Sequence, residues 1–211
     1  MKAATELLVF AGKIKAWSPV LGQFNKRDET VCGRLLLLCG LWKLGCGEFF
    51  EGDKEPQRLL SRLEEKLEKG IHGKPFFPDR PDLHFNISHG GGWAVCALSS
   101  VPCGIDIQDV RPIRSPRLLE RTMDEAEQEQ IKVSSCPERE FARLWAYKES
   151  CLKLTGEGIT RSMRELPSPA WYEFFWLEDL AGCAAAGEPC RLTVQRCEPG
   201  DFPLLTKKLG Q

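Results

Sequence analysis

At 211 residues the chain can bury a sizeable core, as one domain or as two lobes of about 100 residues each. Lys plus Arg number 29 and Asp plus Glu 30, a formal net charge of -1 that argues against a general nucleic-acid binder. Hydrophobic residues at 42% and charged residues at 28% describe an ordinary soluble globular protein. The longest charge-free run near the start, Leu35 to Trp42, is too short to span a bilayer, and Leu7 to Ala11 is too short for a signal-peptide core. A cytoplasmic location is therefore expected. The 10 cysteines include no Cys-x-x-Cys pair, and several are seven apart (32/39/46 and 183/190/197), which is not a usual zinc spacing. Scattered free thiols are expected.

Glu6 to Lys15 reads as a first strand, followed by a polar connection through Ser18-Pro19. A helix from about Thr30 to Leu44 has Leu35, Leu38 and Trp42 as its apolar face and Arg34 near its start, and Gly45 and Gly47 end it. A second helix begins at Pro56, carries Leu59, Leu60, Leu63 and Leu67 on one face, and exits at Gly70. Ile71 to Phe76 is a turn or extended segment pinned by Gly73 and Pro75. Leu83 to Ser88 alternates as a strand, His89 to Gly92 form a loop, and Trp93 to Leu98 return as a hairpin partner.

Gly104 to Gln108 is another short strand, with Ile105 and Ile107 facing one way and Asp106 and Gln108 the other. Arg111 to Ser115 is a basic, proline-punctuated linker, and short helices cover Pro116 to Arg121 and Asp124 to Val133. A long helix opens at Pro137 and stops at Gly156 or Gly158, its stripe formed by Phe141, Leu144, Trp145, Lys148 and Leu152. Trp171 to Leu177 and Cys190 to Cys197 read as strands joined by the small-residue stretch Ala181 to Gly187. This mixture of blocks indicates an α+β fold.

Taken singly, the polar features have plain explanations. Glu149 and Lys153 are one turn apart and read as a surface ion pair. Asp106 reads as a solvated aspartate on the wet face of a sheet. Ser88-His89 before three glycines reads as a hairpin turn or as a phosphate-meeting loop. Their order changes the picture. Gly73-Lys74-Pro75, then Phe85-Asn86-Ile87-Ser88-His89, then Gly104-Ile105-Asp106-Ile107, then Trp145-x-x-Lys148-Glu149-Ser150 with Lys153 four residues beyond the Glu, resembles the 4′-phosphopantetheinyl transferases of the large, surfactin-synthetase-activating type. The likeness runs from about Gly73 to Gly158, and the Arg34 helix looks like that family's N-terminal phosphate-binding helix.

The resemblance implies a pseudo-dimer: two similar α/β lobes, 1–102 and 103–211, with coenzyme A and Mg2+ in the cleft between them. It implies transfer of the phosphopantetheine arm of coenzyme A to a serine of an apo acyl carrier or peptidyl carrier protein, releasing 3′,5′-ADP, by a monomer. By motif position Asp106 and Glu149 are carboxylate ligands of the metal, with Gln108 as a third candidate through its amide oxygen. Lys153 reaches a phosphate oxygen, and Glu149 accepts the serine proton. His89 and Arg34 hold phosphates; Gly73, Lys74, Pro75 and Ser88 line the adenine side; Lys148 is a further phosphate or carrier contact; and Glu127 is structural support or a cleft residue. Gln108 departs from the pattern, because many members carry Glu there, and the amide brings no charge. A non-catalytic coenzyme A-binding relative disabled by Gln108, and a generic interaction domain, are the rival expectations. Arg111, Arg114, Arg117 and Arg121 either offer a basic patch to an acidic carrier or simply solvate short helices.

Overall fold

Strand β1 (Thr5–Lys13) carries two apolar sets, Leu7, Val9 and Ala11 on one face and Leu8 and Phe10 on the other. Both faces of its sheet must then be covered. The computed structural model describes residues 5–22, 24, 26–50, 55–113, 115–156 and 162–201. In it β1 is central to a four-stranded sheet ordered β4-β5-β1-β9, with β4 (His84–Gly90), β5 (Trp93–Ser99) and β9 (Cys190–Arg196). The β4-β5 and β5-β1 pairs are antiparallel, and β9 runs parallel to β1.

Leu8 and Phe10 lean on helix α2 (Asp28–Lys43), which is buried almost all round because helix α1 (Ile14–Leu21) also packs on it. The Ser18-Pro19 segment is thus helical, not a polar connection. Burial of Trp17, Val20 and Leu21 outweighs the donor that Pro19 lacks. Trp42 is likewise not part of the buried face. It is 40% exposed and meets the edge of the Phe50 ring, while Leu35 to Leu38 are all buried. Helix α3 (Pro56–Glu65) buries Leu59, Leu60 and Leu63, and a short β2 (Glu68–Lys69) pairs with β3 (Pro75–Phe76) across Gly73, whose φ is +83.

The other face of the β1 sheet lies on a second sheet, ordered β6-β8-β7, with β6 (Cys103–Asp109), β7 (Trp171–Leu177) and β8 (Leu180–Ala186). Leu7, Val9, Trp93 and Val95 meet Cys103, Ile105, Ile107, Phe175 and Leu177 in the core between them. The stretch expected to join two strands is therefore itself the central strand. Its seven residues are all buried, and their small side chains let helix α6 (Pro137–Thr155) lie close on the outer face. Gly104 serves the same approach: a Cβ there would fall 2.1 Å from the Ser150 carbonyl oxygen and 2.5 Å from the Leu154 nitrogen.

The expected loop at His89 is also different, because β4 continues to Gly90. Only Gly91 and Gly92, with φ of +54 and +78, form the turn. Helices α4 (Pro116–Thr122) and α5 (Glu125–Val133) follow β6, and Met123, Ile131 and Leu144 form a small core with Phe141 and Trp145 packed on it. α6 ends at Gly156 in the left-handed conformation, φ +72, while Gly158 and Arg114 lie outside the described residues. All ten cysteines are free thiols, and burial raises most of them, Cys103 to about 12. Among the described residues no helix is long and apolar enough to cross a membrane.

Replacing Gly104 by Ala should overpack the β6-α6 contact and lower stability in urea unfolding by about 2 kcal/mol. Gly47→Ala, where a Cβ meets nothing within 4 Å, should leave the unfolding midpoint nearly unchanged.

Candidate functional site

Strand alternation sends Asn86 and Ser88 of β4 toward the second sheet, and Asp106 of β6 toward α6, so three elements converge on one edge. Asn86 Oδ1 accepts the Ile105 backbone N–H at 2.9 Å and ties β4 to β6. Asp106 is only 3% exposed, so the solvated reading fails: the carboxylate is buried because α6 covers it. A buried charge requires partners, and three are present. Ser88 Oγ donates to Oδ1 at 2.7 Å, Lys153 Nζ donates to Oδ1 at 2.6 Å, and Gln108 Nε2 donates to Oδ2 at 2.6 Å. Lys153 Nζ also donates to Ser88 Oγ at 2.9 Å.

Lys153 therefore pairs across elements with Asp106 and not with Glu149 on its own helix, as the surface reading expected. Glu149 makes no hydrogen bond or salt bridge with a described residue. Burial raises its carboxyl above the usual value, the charge of Asp106 raises it further, and Lys153 offsets part of this. Two carboxylates thus share one neighbourhood, one neutralised and one open to a cleft of about 300 Å³. His72, Gly73, Lys74, Pro75, Asn86, Leu152 and Gly156 complete that cleft with Glu149 and Lys153.

Lys74 borders the cleft with its stem, while its ammonium is spent elsewhere. Nζ donates to the carbonyls of Cys103 at 2.9 Å, Lys153 at 2.7 Å and Leu154 at 3.1 Å. Two of these are in the last turn of α6, where carbonyls lack helical partners and the dipole favours a cation. Burial lowers the Lys74 pKa. Lys148 is also committed. It is buried, donating to the Met163 carbonyl at 2.6 Å and pairing with Glu127 Oε2 at 2.8 Å. Glu127 simultaneously closes a capping box at the start of α5, accepting the Asp124 N–H at 2.7 Å. Glu127 is thus a support that fixes α5 on α6.

Arg34 and His89 do not reach this cleft. Arg34 Nε donates to Glu64 at 3.0 Å in a separate cavity of about 470 Å³ between α2 and α3, also lined by Lys26 and Thr30. His89 is exposed on β4 at the position alternate to Ser88. Arg111, Arg117 and Arg121 are exposed, with Arg111 paired to Asp109 at 2.6 Å. The sequence reading missed His72, Asn86, Leu152 and Gly156 as cleft residues. Asn86 had a signal, since it shares the strand face of Ser88.

Asp106 and Glu149 carry hard carboxylate oxygens, while Gln108 turns its amide N–H, not its oxygen, toward Asp106. Among the described residues no group of three or more His, Cys, Asp or Glu side chains is arranged to hold an ion unaided. Two carboxylates near one another, one of them without a partner among the described residues, fit a magnesium ion that keeps waters and shares phosphate oxygens with a ligand.

Comparison with known proteins adds the following. The family model described as the 4′-phosphopantetheinyl transferase superfamily matches residues 102–185. The 4′-phosphopantetheinyl transferase Sfp of Bacillus subtilis (strain 168) is 42% identical over 106 residues, 49% of this chain and 47% of that protein. The 4′-phosphopantetheinyl transferase AcpT of Salmonella typhi is 31% identical over 145 residues, 65% of this chain and 75% of that protein. The 4′-phosphopantetheinyl transferase HetI of Nostoc sp. is 34% identical over 105 residues, 46% of this chain and 44% of that protein. The chain spans about half the length of several curated relatives it matches.

Glu127→Ala should leave the Lys148 ammonium buried without its counter-ion and cost about 3 kcal/mol in urea unfolding. Adding Lys148→Met to that variant should recover part of the loss, because the stranded charge is then removed.

Proposed function

Because this chain belongs to the 4′-phosphopantetheinyl transferase superfamily, we propose that it transfers the 4′-phosphopantetheine arm of coenzyme A to a serine of an apo acyl or peptidyl carrier protein. The product leaving is 3′,5′-ADP, and the reaction depends on magnesium. The observation that carries this reading is that Glu149 and Lys153 line a cleft bordered by Gly73, Lys74 and Pro75, with the buried Asp106 bonded to Lys153 behind them. The two sheet-and-helix layers, β4-β5-β1 with α2 and β6-β8-β7 with α6, support a pseudo-dimer of lobes spanning 1–102 and 103–211. In it the C-terminal strand β9 returns to the first sheet.

In this reading the backbone and stems of Gly73, Lys74 and Pro75 pack against the adenine. Ser88 acts on the same ligand only through Asp106 and Lys153, which it already hydrogen-bonds. Lys153 presents a compact positive charge to a diphosphate oxygen. Arg34 and His89, on the α2 side of β4, hold the ribose 3′-phosphate where coenzyme A passes over the edge of that strand. Asp106 and Glu149 would hold the magnesium, Gln108 would add its amide oxygen only after turning its amide over, and the ion would neutralise charge developing on the diphosphate.

The serine hydroxyl oxygen attacks the phosphorus bearing the pantetheine arm, and the P–O bond to the departing nucleotide breaks in line. Glu149 takes the serine proton, directly or through one water. A carboxyl whose pKa is raised by burial and by a neighbouring anion is a better proton acceptor than an ordinary one. A monomer acting in the cytoplasm is part of this proposal. So is an acidic carrier meeting the exposed Arg111, Arg117 and Arg121, of which Arg111 shares a groove with Gln108; Arg114 lies outside the described residues.

Incubation with coenzyme A, magnesium and an apo carrier should add about 340 Da to the carrier, the mass of the phosphopantetheine arm, as read by intact-protein mass spectrometry. EDTA or Glu149→Ala should abolish the gain. Coenzyme A binding with no gain on fatty-acid, polyketide or peptide carriers would leave a binding protein and remove the transferase.

A further inference from the structure

Asp106 has a complete set of partners before any ligand arrives. Oδ1 takes the Lys153 ammonium and the Ser88 hydroxyl, and Oδ2 takes Gln108 at 2.6 Å. A carboxylate oxygen only accepts, so at this distance Gln108 must present its amide N–H and turn its Oε1 away. Oε1 has no hydrogen-bond partner among the described residues. Gln108 lies on the border between the carboxylate network and a neighbouring groove lined by Arg111, Phe141 and Trp145.

We propose that Gln108 is a positioning residue that keeps the Asp106 site closed and internally satisfied without a divalent cation, and so sets the cation concentration at which the site opens. The inference rests on the proposed reading of Asp106 as a magnesium ligand. An amide carries its donor and its acceptor on opposite arms of one plane. Half a turn of the Gln108 side-chain amide replaces the donor facing Oδ2 with Oε1, an acceptor that favours a cation between the two groups. The closed arrangement holds the amide donor on Asp106, and divalent binding has to break that bond.

A carboxylate at position 108 reverses the balance. Two anionic oxygens at the present separation repel one another when no cation is there, and attract one more strongly than an amide does. Gln108 therefore gives stability to the cation-free protein at the expense of cation affinity. Lys153 alone does not do this, because its ammonium bonds Oδ1 and the Ser88 hydroxyl and leaves Oδ2 to Gln108.

The test uses Mn2+ as the probe, in mildly alkaline buffer without coenzyme A. Free Mn2+ is counted by electron paramagnetic resonance, and melting temperature is read in EDTA and in Mn2+. Gln108→Glu should bind Mn2+ about tenfold more tightly than the wild type. It should also melt lower in EDTA and regain that loss in Mn2+. Gln108→Ala, which removes the donor without adding charge, should melt lower in EDTA but bind Mn2+ no more tightly. Unchanged Mn2+ affinity in Gln108→Glu, or an EDTA melting temperature of either variant equal to or above wild type, overturns the inference. Should Gln108→Glu fail to fold in EDTA yet fold in Mn2+, the inference is supported in its strongest form. The carrier assay on the wild type separates the two readings. Carrier modification with unchanged Mn2+ affinity in the variant sinks the role of Gln108 alone. Shifted affinity with no carrier modified sinks the transferase.

Discussion

A carboxylate held at 3% exposure is unstable unless the chain brings donors to it, and Asp106 obtains its donors from three different elements. Ser88 comes from β4, Gln108 from β6 itself and Lys153 from α6. The Ser88 and Lys153 contacts tie β4 and α6 to β6, while Gln108 satisfies the second carboxylate oxygen from within the strand. The core between the sheets sets their separation, and the Asp106 network, with Asn86 on the Ile105 N–H, sets where the edge of β4 sits over β6. Lys74 completes the arrangement by holding the end of α6 against the β2-β3 hairpin and the start of β6. The cleft exists because these polar ties keep its walls in register.

The same ties make the site asymmetric in charge. Asp106 is matched by an ammonium and two neutral donors, whereas Glu149 faces the cleft without a bonded partner among the described residues and feels both burial and the Asp106 charge. Groups whose environments push them apart in this way can take different roles in one reaction. Behind them, the Lys148–Glu127 pair and the Asp124 capping box lock α6 to α5, so the helix carrying Glu149 and Lys153 is held at both its buried face and its end.

Much of this was legible from residue order. The alternation of Leu83 to Leu98, the isoleucines around Asp106, and Pro137 and Gly156 bounding the long helix all carry their own local physics, and the structure has strands and a helix there. The parts that were not legible depend on packing at a distance. Ala181 to Ala186 has weak strand propensity, and becomes a central strand only because α6 needs small residues beneath it. The segment around Ser18-Pro19 is helical because α2 offers a surface to Trp17, Val20 and Leu21. Spacing gave Glu149 and Lys153 a common helix flank, yet the actual partner of Lys153 lies 47 positions away in the chain. Lys74 sits in a motif that suggests ligand contact, while its ammonium caps a helix, a role visible only once α6 is in place.

The most direct measurement of the account is a crystal structure with coenzyme A and magnesium. The diphosphate should lie within hydrogen-bond reach of Lys153 Nζ, the ion between Asp106 and Glu149, and the adenine against Gly73 to Pro75. Coenzyme A bound elsewhere, with the ion absent from Asp106 and the Lys153–Asp106–Gln108 contacts unaltered, would contradict it.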